Sequence, residues 1–154
     1  MTDWMTEIRI NSDRVDDFIT EYEKHYLEAK EDIKLDGNLI TLSKKMPSII
    51  EIRYSQFEDI NTIMALLEHM LAQARSKHFV KYNEHYAKAL SSRDIQQYID
   101  GEADVFEIVE KLTKVTRLRN KFAGVSKALE AKQFQISNIV KLKVAGLDNI
   151  DIGI

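Results

Sequence analysis

"FEDINTIMALLEHMLAQA", residues 57–74, decides how the chain folds. Phe57, Ile60, Met64, Leu67, Leu71 and Ala74 recur at spacings of three and four, the period of one helix face. Ile63, Leu66 and Met70 widen that face beyond a two-helix seam, so it calls for more than one partner helix. No Gly or Pro interrupts residues 48–90, and the spacing predicts one long helix across them. Pro47 reads as part of its first turn, where a missing N–H is no loss.

Working outward, residues 13–33 are predicted to be helical, with Ser12 or Asp13 as cap and Val15, Phe18, Ile19, Tyr22 and Tyr26 on one face. Asp36-Gly37-Asn38 reads as a turn, and "LITLSKK" (39–45) as a short extended piece. On the other side, "SSRD" (91–94) signals a break and a new cap before a short helix that ends near Asp100-Gly101. A second long helix is predicted over residues 102–143, with Val105, Ile108, Leu112, Val115, Leu118, Phe122, Val125 and Leu129 as its stripe. Gly124 inside it suggests a close helix crossing, and Gly146 a C-terminal stop. The expected fold is mainly α, built of long antiparallel amphipathic helices. Three segments are expected: an N-terminal helical extension (1–36), a helical oligomerisation and binding domain (37–146) and an apolar tail (147–154). The broad stripes and the tail argue for self-association, with Leu67, Leu71, Phe122, Leu129, Phe134, Ile136 and Ile139 as the expected oligomer contacts.

Composition agrees with long helices: 154 residues hold only five Gly and one Pro. The absence of Cys excludes a disulfide framework, a cysteine zinc site and a thiol nucleophile. The first ten residues lack the basic and apolar regions of a signal peptide, and no run of about 18 apolar residues suits a membrane span. Charge is unevenly placed. Overall there are 22 basic and 25 acidic side chains, yet residues 111–143 carry nine basic and one acidic, and residues 91–110 carry one Arg and six acids. "KLTKVTRLRNKFAGVSK" (111–127) holds six basic residues and no acid. Such a stripe suits either a polyanion or the acidic segments of another subunit.

Arg75, Lys77 and Lys81 lie on the first long helix, and Lys77 and Lys81 share a face at i,i+4. Tyr82 and Tyr86 are also i,i+4, one position round. Cations beside aromatic rings suit single-stranded nucleic acid, whose phosphates meet ammonium and guanidinium groups while its bases stack on rings. Lys114, Arg117 and Lys121 form a second stripe on the later helix, which a row of phosphates can follow. Against this stands the plainer reading, in which basic stripes meet water or acidic neighbours and the tyrosines pack in a core. Catalytic signatures are missing: no phosphate-binding glycine loop, no HExxH, no GxSxG and no dinucleotide fingerprint. The four histidines, His25, His69, His78 and His85, lack the i,i+4 spacing of helical metal ligands and read as ordinary polar residues, so no metal, cofactor or enzymatic activity is expected.

The order of these signals resembles the UvsY-type recombination mediators of tailed phages. The likeness runs through "KLDGNL" (34–39), "SKKMPSIIEIRYSQF" (43–57), "KYNEHY" (81–86) and "IQQYIDGEADVFEIVEKL" (95–112), and is best at "VSKALEAKQFQISNIVKLKVAG" (125–146). It includes an aromatic-x-Ile ending at Phe134, Ile136 and Ile139 or Val140. Where that family has adjacent tyrosines this chain has His85 and Tyr86, and Arg75, Lys77 and Lys81 match its basic cluster loosely. The resemblance implies a non-enzymatic, ring-like homo-oligomer in the cytoplasm of a phage-infected host. It implies binding to single-stranded DNA coated with single-strand-binding protein, and loading of a RecA-like recombinase there. The competing expectations are a self-associating structural or scaffolding protein, and an adaptor that docks another protein through its tail.

Overall fold

The computed structural model describes residues 1–85 and 89–147. Among them the ordered elements are helical and no strand occurs: α1 (Trp4–Ile10), a 3-10 turn (Ser12–Arg14), α2 (Val15–Ile33), α3 (Leu39–Glu84), α4 (Ser92–Asp100) and α5 (Ala103–Val144). No helix among the described residues is long and apolar enough to cross a membrane. The expected mainly-α class is thus met.

Local chemistry explains most boundaries. Asp3 caps α1 by accepting from the Thr6 amide, and Asn11 accepts from Asp13 N to start the 3-10 turn, so the caps lie just before Ser12 and Asp13. The Asn38 side chain accepts from the amides of Ile40 and Thr41 and opens α3, directly after Gly37 at φ +89°. "LITLSKK" is therefore helical and not extended, and Pro47 lies inside α3 and not in its first turn. The proline removes one backbone donor, but Met46 beside it is buried with Leu42, Ile49 and Ile50 against one core, and that packing holds the turn. Ser91 caps α4 as its sequence predicts. α5 ends in paired bonds from Gly146 N to Lys143 O and from Leu147 N to Leu142 O, with Gly146 at φ +72°. A Cβ placed on Gly124 would meet nothing within 4 Å, so that glycine marks no close helix crossing.

The chain forms two compact units, and α2, α3 and α5 contribute residues to both. The first comprises Met1–Glu23 and Glu58–Arg119. There Trp4 meets Phe18 edge-on, Phe18 packs on Tyr22, and the Tyr22 hydroxyl donates to Asp59 at 2.8 Å. Ile8, Val15, Phe18, Ile60, Ile63, Leu67, Val115 and Leu118 are buried. Contacts from α3 to α5 pair Asn61 with Arg119, Met64 with Thr116 and His78 with Asp104, so numbers rise on one helix as they fall on the other. α4 turns Ile95 and Ile99 onto Leu71 and Val105.

The second unit comprises Lys24–Phe57 and the chain from Asn120 onward. Its core is Ala29, Met46, Val125, Leu129 and Ile136. Phe122 is buried there against Tyr26, over whose ring sit the ammonium groups of Lys30 and Lys121. Two buried cations meet Asp32. Arg53 places Nε and Nη2 each 2.7 Å from Asp32 Oδ2, and Lys132 donates to the Asp32 carbonyl at 2.6 Å. Within residues 1–36, Ile8, Val15 and Phe18 belong to the first unit's interior and Ala29 to the second's. The expected tail beyond Leu147 lies outside the described residues.

Asp32 is the nearer of two acids at the buried Arg53, at 2.7 Å against 3.8 Å for Glu28. Removing one partner of a buried pair leaves an uncompensated charge. Asp32→Ala is therefore expected to lower unfolding free energy in urea by about 3 kcal/mol, against about 0.5 kcal/mol or less for the exposed Glu130→Ala. Equal effects of the two substitutions would contradict the assigned role of Asp32.

Candidate nucleic-acid interface

Arg75, Lys77, Lys81 and Tyr82 occupy the last turns of α3, within the first unit. The helix keeps Lys77 and Lys81 on the exposed side and turns Tyr82 inward to half-burial against Ile95 and Val105's cluster. Tyr82 then stacks on Tyr98 of α4, with ring centroids 5.4 Å apart and planes 22° from parallel. Lys81 Nζ lies 5.1 Å from the Tyr82 centroid. Tyr98 itself is 48% exposed. A tyrosine pair with an accessible ring and cations alongside has the chemical parts of a base-stacking platform.

The local acids fold back onto these cations. Arg75 Nη2 is 3.6 Å from Asp100 Oδ1, and Lys81 Nζ is 3.2 Å from Glu102 Oε1. The Tyr82 hydroxyl donates to the same Glu102 oxygen in a short hydrogen bond. That hydroxyl first, and the Lys81 ammonium second, hold the Glu102 carboxyl below its ordinary range. Lys77 is exposed and has no ion pair among the described residues. The paired side chains remain accessible: Arg75 and Lys81 side chains are 44% and 56% exposed. Ion pairs this open are worth about 0–1 kcal/mol, so a phosphate oxygen can replace the carboxylate at little net cost.

The second expected stripe is divided. Lys114 and Arg117 are exposed on α5 in the first unit, whereas Lys121 belongs to the second and lies over Tyr26. Lys114 meets Asp16 at 2.9 Å, and this carboxylate raises the lysine's pKa through its hydrogen bond and its charge. Arg117 has no ion pair among the described residues. Lys111 is taken up by Ser12 and Asp13, both at 2.9 Å. The fold thus brings together Arg75, Lys77, Lys81 and Tyr82 and adds Tyr98, whereas Lys114, Arg117 and Lys121 are divided between the two units. Tyr86 and Lys88 lie outside the described residues.

Of the expected oligomer contacts, Leu67, Leu71, Phe122, Leu129 and Ile136 are buried inside this one chain. Leu71 is covered by Ile95 and Ile99 of α4 and Val105 of α5, and Leu129 and Ile136 pack with Ala29 of α2 and Met46 of α3. Of the set, Phe134 is 68% exposed and Ile139 is half-buried. Near Phe134, Val140, Leu142 and Val144 are also exposed.

Two groupings were invisible to local spacing. Tyr98 reaches Tyr82 only through the turn that α4 makes, though its place in "IQQYID" beside Ile95 and Ile99 marks it as lying off the buried face. His78 is 24 residues before Glu102 and meets both Glu102 and Asp104.

Glu102 reports on this arrangement. Its depressed carboxyl contributes stability above the unfolded value of 4.5, and the contribution is lost as pH falls through the lower folded value. Tyr82→Phe removes the largest cause, so the Glu102 pKa is expected to rise and acid unfolding to begin at higher pH. Carbon-detected NMR titration of the Glu102 carboxyl checks this, and an unmoved midpoint would refute the assigned hydrogen bond.

No protein-family model, curated protein or solved structure matches the chain.

Proposed function

We propose that the chain is a non-enzymatic single-stranded-DNA-binding protein that acts as a recombination mediator of the UvsY type. In this reading it helps load a RecA-like recombinase onto DNA coated with single-strand-binding protein. One observation carries the DNA-binding part: the stacked Tyr82–Tyr98 pair, half exposed at Tyr98 and flanked by Lys81, with Lys77 and Arg75 on the preceding turns. Rings supply sequence-tolerant stacking and the cations follow the phosphates. The mediator role and the recombinase partner follow from the resemblance in residue order.

The finer architecture belongs to the same proposal. α3 and α5 act as the antiparallel arms of a hairpin, a reading supported by the reversed numbering of their contacts within the first unit. Copies associate into a ring-like homo-oligomer, for which the exposed Phe134, Val140, Leu142 and Val144 offer apolar area. Repetition of a weak site around such an assembly gives avidity that one subunit lacks.

A second reading has its own observation. Arg75, Lys81 and Lys114 already meet carboxylates of the same chain, as they would in a structural protein whose basic stripes serve only its own fold. Fluorescence anisotropy with a labelled oligonucleotide, repeated across a salt series, separates the two. The DNA-binding reading expects affinity to fall steeply with salt. It expects Lys77→Glu with Lys81→Glu to weaken binding at least tenfold without changing the mass seen by light scattering. Tyr98→Ala should weaken it by roughly tenfold, as loss of one stacking ring does. Binding that ignores all three substitutions, or no binding at moderate salt, would favour the structural reading.

A further inference from the structure

Where α3 meets the start of α5, His78, Glu102 and Asp104 each offer a donor atom, and these atoms lie within 4.8 Å of one another. Two carboxylates in proximity carry no site by themselves; His78 distinguishes this group. It is 9% exposed, and its Nδ1 is shielded from solvent without a hydrogen-bond partner. Its other ring nitrogen is fully engaged, with Nε2 2.7 Å from Asp104 Oδ1. A neutral imidazole that donates from Nε2 keeps its lone pair on Nδ1. An imidazole whose far N–H is held by a carboxylate is the arrangement that orients histidine ligands toward metals.

The lone pair faces an acid. Nδ1 stands 3.5 Å from Glu102 Oε1. Two donors bound at about 2.1 Å to one tetrahedral ion lie roughly 3.4 Å apart. The gap therefore has the width of the edge between two ligands of a single cation. An imidazole nitrogen paired with a carboxylate oxygen suits borderline divalent transition ions, whereas magnesium and calcium prefer oxygen alone.

We propose that His78 Nδ1 and Glu102 bind a divalent transition cation of the zinc class, with Asp104 as the positioning carboxylate and water completing the shell. Glu102 Oε1 is also the acceptor for Lys81 Nζ and the Tyr82 hydroxyl. An ion on that oxygen competes with both and returns a lysine and a phenol to the neighbouring surface. This last consequence rests on the nucleic-acid reading; the metal site does not.

The test uses the full chain, stripped with chelator, and zinc or cobalt chloride alone. Calorimetric titration is expected to show one saturable site per chain, with a rise in melting temperature and a shift of the His78 imidazole resonances. His78→Gln should weaken binding at least tenfold, while His69→Gln, exposed elsewhere on α3, should leave it unchanged. If His78→Gln fails to fold, Glu102→Gln serves in its place and should give the same loss. Absence of saturable binding, or binding by the His78 and Glu102 variants as tight as that of the unaltered chain, overturns the site. Metal binding with no effect on oligonucleotide affinity would leave the site standing and remove only its link to DNA.

Discussion

Helix α3 carries apolar side chains over too wide an arc for one neighbour to cover, and the rest of the fold answers that constraint. Ile60, Ile63, Leu66, Leu67 and Leu71 are buried along one stretch of it, and Met46 along another. A two-helix hairpin would leave part of such a stripe in water. The chain therefore supplies α2 as a third helix, α1 to seat Ile8 and Trp4, and α4 to close over Leu71 with Ile95 and Ile99. Side chains of the first thirty-odd residues, Ile8, Val15, Phe18 and Ala29, are buried in these cores.

Packing three amphipathic helices also brings their polar edges together. Cations that sequence spacing lines up for a polyanion meet acids of the same chain: Lys114 with Asp16, Lys111 with Asp13, Arg75 with Asp100 and Lys81 with Glu102. The uneven charge along the sequence is thus partly cancelled in space. Exposure decides what remains available. Lys111 is held by two partners with its side chain nearly buried, whereas Lys81 and Arg75 sit in open pairs that a stronger anion can displace. The region around Tyr82 and Tyr98 is accordingly a better candidate than the more basic stretch of α5, despite its lower net charge.

Helix identity was legible because periodicity and caps are local signals. The long α5, the Ser91 cap and the Gly146 stop follow from spacing and turn chemistry alone. "LITLSKK" is helical and not extended because the Asn38 cap, the buried Met46 and the partly buried Leu42 carry the helix to Leu39, eight residues before Pro47. α1 escaped notice because seven residues with one buried side chain, Ile8, show no period. Of the candidate site, Lys77 and Lys81 were readable as one helix face, with Tyr82 one position round. Tyr98 and the His78–Glu102–Asp104 group were not, since their neighbours come from other elements and no local spacing encodes a tertiary contact.

The central functional claim is that bases stack on the tyrosine pair at the end of α3. Photocrosslinking of a bromouridine-substituted single strand, followed by mass spectrometry of the attached peptides, tests it most directly. The account expects the crosslinks at Tyr98 or Tyr82. Crosslinks confined to the α5 segment beyond Asn120, or none under conditions where the oligonucleotide is bound, would contradict it.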